Sequence, residues 1–285
     1  MKVLLTGRTG QVGWELERCL ATLGELVAAD RALLDLSHPQ TVASCVRSNR
    51  PDLIVNAAAY TAVDQAEEES RDCFAVNAES VGVLAQEAAM LGALLVHYST
   101  DYVFDGAKRS PYVETDPTGP LNTYRRSKLA GEQQIVRSGC RHLILRTSWV
   151  YGMRGRNFAR TMLRLARERP QLRVVDDQVG APTWSRDVAA ATMAALSQTD
   201  PVQGLYHIAA GGSTSWFGFT GRLLQFAGLD TPVVPIATRD YPTAAARPAY
   251  SVLDSGRFER TTGFRVGPWE QRLLACLKES GGAWC

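Results

Sequence analysis

With 285 residues, 45% of them hydrophobic, the chain can bury a sizeable core as one large domain or two modest ones. A net charge of +2, with the cations spread among 29 acidic residues, leaves no basic block to track nucleic-acid phosphates and argues against a nucleic-acid partner. Six scattered cysteines (Cys19, Cys45, Cys73, Cys140, Cys276 and Cys285) form no C-x-x-C pair and no Cys/His cluster, which argues against a zinc site or a disulfide framework.

The opening apolar run is too short for a signal peptide, and no stretch approaches the ~18 apolar residues of a membrane span, so a cytoplasmic protein with no membrane partner is expected. Residues 2–6 read as a strand and 11–23 as a helix; 25–29 with 39–49, and 52–56 with 71–91, repeat the unit. A strand at 93–99, a turn-rich loop at 100–120, a helix carrying Tyr124 and Lys128 and a strand at 141–147 continue it. The alternation predicts an α/β fold, a Rossmann-type doubly wound parallel sheet over residues 1–150. Beyond Trp149 the pattern loosens into a helix near 157–169, a strand at 172–175, a helix around 185–196 and a strand at 204–209. These read as a smaller C-terminal α/β substrate-binding lobe, residues 151–285, with the chain free to cross between the two parts. No low-complexity linker separates them, so they are expected to pack together and form a cleft, with residues 281–285 fraying.

Between the first strand and helix lies Thr6-Gly7-Arg8-Thr9-Gly10-Gln11-Val12-Gly13, three glycines at three-residue intervals. Glycine lets backbone approach a pyrophosphate, and the helix N-terminus adds free N–H groups and partial positive charge. The G-x-x-G-x-x-G spacing departs from the standard dinucleotide fingerprint, and a plain tight turn is the competing reading. Asp30, about 20 residues on, can hold an adenosine ribose hydroxyl, which favours NAD. Arg8 and Arg31 can instead hold a 2′-phosphate, which favours NADP. Together they predict a site that takes NADPH and also accepts NADH. The run Asn56-Ala57-Ala58-Ala59-Tyr60-Thr61 puts small residues at the carboxyl edge of the sheet, where a cofactor can lie against backbone.

Tyr124 and Lys128 are four residues apart and share a helix face, so an ammonium can lie beside a phenol and favour its ionised form. With Thr100 in Ser99-Thr100-Asp101-Tyr102 upstream, they suggest a proton donor at a carbonyl. Arg247 suits a substrate diphosphate, since guanidinium matches phosphate oxygens; a surface ion pair is the equal alternative.

In this order the glycine loop, Asn56-Ala57-Ala58-Ala59, Ser99 to Gly106 and Tyr124 to Lys128 resemble the extended short-chain dehydrogenases. Among them the chain is similar to the dTDP-4-dehydrorhamnose reductase family, through Thr6-Gly7 to Trp14, His97 to Tyr102, Arg146 to Tyr151, Asp177 to Thr183, Tyr241-Pro242-Thr243 and Arg247-Pro248. That resemblance implies a dTDP-4-keto-6-deoxy sugar substrate, reduced at C4 to dTDP-L-rhamnose for cell-envelope polysaccharide. It implies Thr100, Tyr124 and Lys128 as the catalytic set, with Thr100, Asp101 and Trp149 near the sugar. Cofactor contacts carry over as Gly10, Gln11, Val12, Asp30, Asp35, Leu36, Ala59, Tyr60 and Thr61, with Tyr124 and Lys128 themselves. Some members hold Mg²⁺ at a dimer interface through a glutamate like Glu15 and acids beyond the Pro-Thr turn; Arg186 in Trp184-Ser185-Arg186-Asp187 repels a cation, which counts against the metal and that homodimer alike. Competing readings are an epimerase or dehydratase of the same superfamily, and a dinucleotide-binding regulatory subunit without chemistry.

Overall fold

The computed structural model describes residues 1–279; the fraying expected at 281–285 lies outside them. Five early strands, β1 (Lys2–Thr6), β2 (Glu25–Ala29), β3 (Leu53–Asn56), β4 (Leu94–Thr100) and β5 (His142–Thr147), are joined by a late one, β6 (Gly204–Ile208). They form one parallel sheet in the order β2–β1–β3–β4–β5–β6. The order turns about β1, and in such sheets ligands bind at that switch point, beyond the carboxyl ends of the strands. β6, which the sequence suggested was part of the smaller lobe, is the sixth strand because its register pairs Gly204 through Ile208 with Leu143 through Thr147.

Strand residues alternate between two apolar layers, which is why helices cover both faces. Val3, Leu5, Val55, Val96 and Leu145 pack on one side with Leu16 and Leu20 of α1 (Gln11–Leu20) and Val188 of α7 (Ser185–Leu196). Leu4, Ile54, Leu95 and Ile144 pack on the other with Val42 and Val46 of α2 (Pro39–Asn49), Leu84 and Ala88 of α4 (Ser80–Leu91) and Ile135 of α5 (Thr123–Ser138). β3 and β4 are buried along their whole length, so each opens on an apolar run, Leu53 to Val55 and Leu94 to Val96, rather than alternating; the polar residues Asn56, His97, Ser99 and Thr100 come at their carboxyl ends.

The helix expected at 71–91 is interrupted. α3 (Ser70–Phe74) passes through one π-type turn, Ala75–Glu79, before α4 begins. A π-turn carries an extra residue, and here it faces Asn77 toward the loop after β3, where its amide exchanges hydrogen bonds with the Tyr60 backbone (Oδ1 accepts at 3.0 Å, Nδ2 donates at 3.0 Å).

Short strand pairs, Val150–Tyr151 with Thr183–Trp184 and Leu172–Val175 with Val233–Ile236, build the remaining part around α6 (Phe158–Glu168) and α8 (Trp216–Ala227). Asn157 caps α6 by accepting from Arg160 N at 3.0 Å, and its amide reaches across to Gln11 Oε1 at 2.9 Å, tying this part to the glycine loop. Among the described residues no helix is long and apolar enough to cross a membrane.

Candidate active site

A cavity of about 1640 Å³ opens at the carboxyl ends of the strands. One wall is the glycine loop. Gly7 has φ of +72°, and a Cβ there would lie 2.6 Å from Ala58 N; a Cβ on Gly13 would lie 2.0 Å from Gly7 O. Both positions therefore require glycine. At Gly10, the N-cap of α1, no side chain satisfies the first N–H groups of the helix and no acid lies in its first turn. Gly7, Gly10, Gln11 and Val12 all line the cavity, so a bare, partly positive helix end faces it. These residues fit a dinucleotide pyrophosphate.

Along the same edge lie Asp30, Arg31, Asp35, Leu36, Ala59, Tyr60 and Thr61. Asp30 Oδ1 accepts from Ala32 N and Leu33 N (3.0 and 3.1 Å), and Arg31 Nε donates to Asp35 at 2.9 Å. Against the burial penalty, hydrogen bonds from Arg31 and Ser37 hold the Asp35 carboxyl down to about 2. Arg8 departs from expectation: it forms an ion pair with Glu17 at 2.6 Å and does not line the cavity. The loop runs straight into α1, and Glu17 on the second turn of that helix is within reach of an arginine that the sequence alone leaves free.

The opposite wall carries Thr100, at the end of β4, and the first turns of α5. Asn122 caps that helix, accepting from Arg125 N at 3.0 Å, and so sets Tyr124 and Lys128 on the cavity side. The Lys128 Nζ donates to Tyr98 O at 2.6 Å and meets His97 Nε2 at 3.2 Å. Burial draws the ammonium down to about 8, with Glu132 opposing. Tyr124 behaves differently from the expectation set by its spacing. Burial, then the neighbouring Asp101 carboxylate, push its phenol above the usual range, while a hydrogen bond with Thr100 opposes them. Lys128 is turned to Tyr98 and His97, so Tyr124 stays protonated and is poised to donate.

Thr100 Oγ1 donates to Asp101 at 3.1 Å and Ser148 Oγ to its other oxygen at 3.0 Å; burial raises this carboxyl to about 6. Trp149 lines the cavity with a left-handed backbone (φ +44°), costly for a bulky residue. Its indole stacks flat on Trp216, centroids 3.4 Å apart and planes at 2°, and a Cβ on Gly180 would lie 2.4 Å from it. Arg247 reaches the same cavity but is held by Asp64 through two hydrogen bonds of 2.8 and 2.6 Å.

Residues 1–281 match the model of the RmlD substrate binding domain family. The chain belongs to the RmlD substrate-binding-domain family. A dTDP-4-dehydrorhamnose reductase of Burkholderia thailandensis is 46% identical, covering 98% of this chain and 99% of its own. Among solved structures, the dTDP-4-dehydrorhamnose reductase of Clostridium acetobutylicum superposes with a TM-score of 0.95 at 35% identity, covering 99% and 100% of the two chains. That of Bacillus anthracis, in complex with NADP, gives 0.92 at 37% identity, covering 98% and 99%.

In this member of the RmlD family the acids considered for a cation are each taken by a guanidinium. Arg186 pairs with Glu15 at 3.1 Å and with Glu279, and Arg272 grips Asp187 through bonds of 2.6 and 2.9 Å. A divalent ion does not fit that set. Three residues were given no role from the sequence: Asn77, which holds the Tyr60 backbone; His97, which meets Lys128; and Trp216, which backs Trp149. Only the Trp had a signal, an aromatic after Ser215 at a helix start; the others lie in runs whose period reveals burial, not partners.

Proposed function

We propose that the chain reduces the C4 keto group of dTDP-4-dehydro-L-rhamnose with NADPH, giving dTDP-L-rhamnose for cell-envelope polysaccharide, and that NADH also serves. The observation that carries this reading is one cavity bounded by the glycine loop on one wall and by Thr100, Tyr124 and Lys128 on the other, with Trp149 at its end. Bound NADPH would supply a hydride to C4. Tyr124, protonated and at the cavity surface, gives its proton to the oxygen that becomes negative as the carbonyl is reduced. Thr100 hydrogen-bonds the same oxygen and fixes its place. Lys128, held as an ammonium, is suited to the cofactor ribose. Gly10, Gln11 and Val12 would hold the pyrophosphate and Asp30, Arg31 and Asp35 the adenosine ribose, while Asp101 and Trp149 shape the sugar end. The reading places the enzyme in the cytoplasm, with no metal, and leaves a homodimer to form by other contacts than a shared Mg²⁺.

Purified protein should oxidise one NADPH per keto sugar consumed, followed at the nicotinamide absorbance. Turnover of the nucleotide sugar without net NADPH loss would support an epimerase or dehydratase instead, and tight NADP binding with no turnover would support a regulatory subunit. Arg247 is the candidate for the diphosphate. Although Asp64 shares its charge, Arg247→Ala should raise the apparent KM for the nucleotide sugar roughly tenfold, about the loss of one charged hydrogen bond, with kcat little changed. An unchanged KM would leave its pairing with Asp64 as its whole role.

A further inference from the structure

Four polar side chains run in a line through the middle of the sheet. Thr6, Asn56 and His97 are cross-strand partners at the ends of β1 and β3 and within β4, and the line ends at Lys128. Thr6 Oγ1 lies 2.6 Å from Asn56 Oδ1, Asn56 Nδ2 3.1 Å from His97 Nδ1, and His97 Nε2 3.2 Å from Lys128 Nζ. All four are at most 2% exposed. Thr6 directly precedes Gly7, so the line joins the cofactor end of the sheet to the proton-donating wall.

Counting hydrogens along this line leaves two arrangements. The imidazole is neutral, because burial and the adjoining Lys128 hold it well below its usual value, and so it carries one N–H. If Lys128 is an amine, Nε2–H donates to Nζ, Nδ1 accepts from the Asn56 amide nitrogen, and Asn56 Oδ1 accepts from the Thr6 hydroxyl. If Lys128 is an ammonium, it has only donors, so Nε2 must accept. The ring proton then sits on Nδ1, and Asn56 must turn its amide to present Oδ1 there and Nδ2 to Thr6. The two states differ by one proton, taken from or given to solvent.

Resting on the reductase reading, we infer that Thr6, Asn56 and His97 are positioning residues that set the charge of Lys128, the Asn56 amide and the His97 tautomer turning over together as Lys128 gains or loses its proton. The groups facing Lys128 leave His97 as its side-chain acceptor among the described residues. Glu132 on α5 gives both oxygens to Arg146, the Cys73 thiol of α3 is engaged by Ser127 and Asn77, and Tyr124 lies toward Thr100. Asp101 and Tyr102, after β4, face Tyr124 and Arg125, and Glu67 is bound to Thr123 N. Without an acceptor at Nε2 a buried ammonium would lose a charged hydrogen bond and give up its proton at lower pH.

The test uses the full chain labelled with ¹⁵N-histidine; there are four histidines, and His97→Gln identifies the signal. Long-range ¹⁵N–¹H spectra should show the Nδ1–H tautomer at neutral pH and Nε2–H at high pH, with a midpoint near the Lys128 value of about 8, and Lys128→Met should abolish the change. A single tautomer across that range overturns the inference. In the pH profile of kcat/KM, Asn56→Asp, whose carboxylate accepts only from Nδ1–H, should move the alkaline limb up by about one unit, and His97→Leu should move it down by about one unit. A merely structural role would lower the rate equally at every pH and would overturn the inference as well. The spectra report on the chain without turnover, so an inactive wild-type protein would count against the reductase reading alone.

Discussion

Tyr124→Phe is expected to lower kcat by about 10²- to 10⁴-fold, the usual worth of a positioned acid in the transition state, while NADPH affinity stays unchanged. The reason lies in the geometry around a single oxygen. The Tyr124 phenol faces the cavity beside Thr100, in a place where burial and Asp101 keep it protonated, and Phe fills the same volume without the proton. Lys128 donates to Tyr98 O, and Thr100 donates to Asp101 and accepts from Tyr102 N. Single-turnover kinetics separate the loss from any change in cofactor binding, which is read by NADPH fluorescence. Reductase activity at the wild-type level in the Phe variant would remove Tyr124 from the proposed mechanism.

The second large effect is on stability. Arg146→Met should destabilise the fold by about 3–5 kcal/mol, the cost of leaving a buried carboxylate without its partner. Arg146 of β5 and Glu132 of α5 are 4% and 6% exposed and form two hydrogen bonds of 2.9 and 2.7 Å. The guanidinium also lies 5.1 Å from the Phe104 ring, so its removal opens packing as well as unpairing a charge. For a chain of this size the melting temperature should fall on the order of 10 °C. Adding Glu132→Leu to Arg146→Met should recover most of the loss, because an apolar pair of similar volume replaces a buried ion pair at little cost. A single variant melting within about 2 °C of the parent, about the shift for 1 kcal/mol, would show that water or a rearranged neighbour reaches Glu132.

Local chemistry made much of the site legible in advance. Gly7 and Gly13 reveal a tight approach because only glycine tolerates it, and the same atoms explain it here, with a Cβ on Gly13 falling 2.0 Å from Gly7 O. The four-residue spacing of Tyr124 and Lys128 was enough to put both on one helix face, and both line the cavity. What that spacing could not convey was direction within the face. Lys128 reaches back to β4 rather than toward the phenol, so the electrostatic effect on Tyr124 comes from burial and Asp101 instead. Nor could spacing show carboxylate partners: Arg8 meets Glu17 nine residues on, and Arg247 takes the ion-pair alternative with Asp64 far back along the chain.

The order of short apolar runs and amphipathic stretches by itself determined a parallel, doubly wound sheet, because strands buried on both faces need continuous apolar residues and crossovers need helices between them. It also determined where backbone must come close to a ligand and which side chains share a helix face. Only the tertiary structure decided that Gly204–Ile208 completes the sheet, that a π-turn brings Asn77 to the Tyr60 loop, and that Thr6, Asn56 and His97 meet in one line behind Lys128. These depend on register between segments distant in the chain. A one-residue slip would turn each of those side chains to the opposite face of the sheet, and nothing within a single strand records which neighbour it will meet.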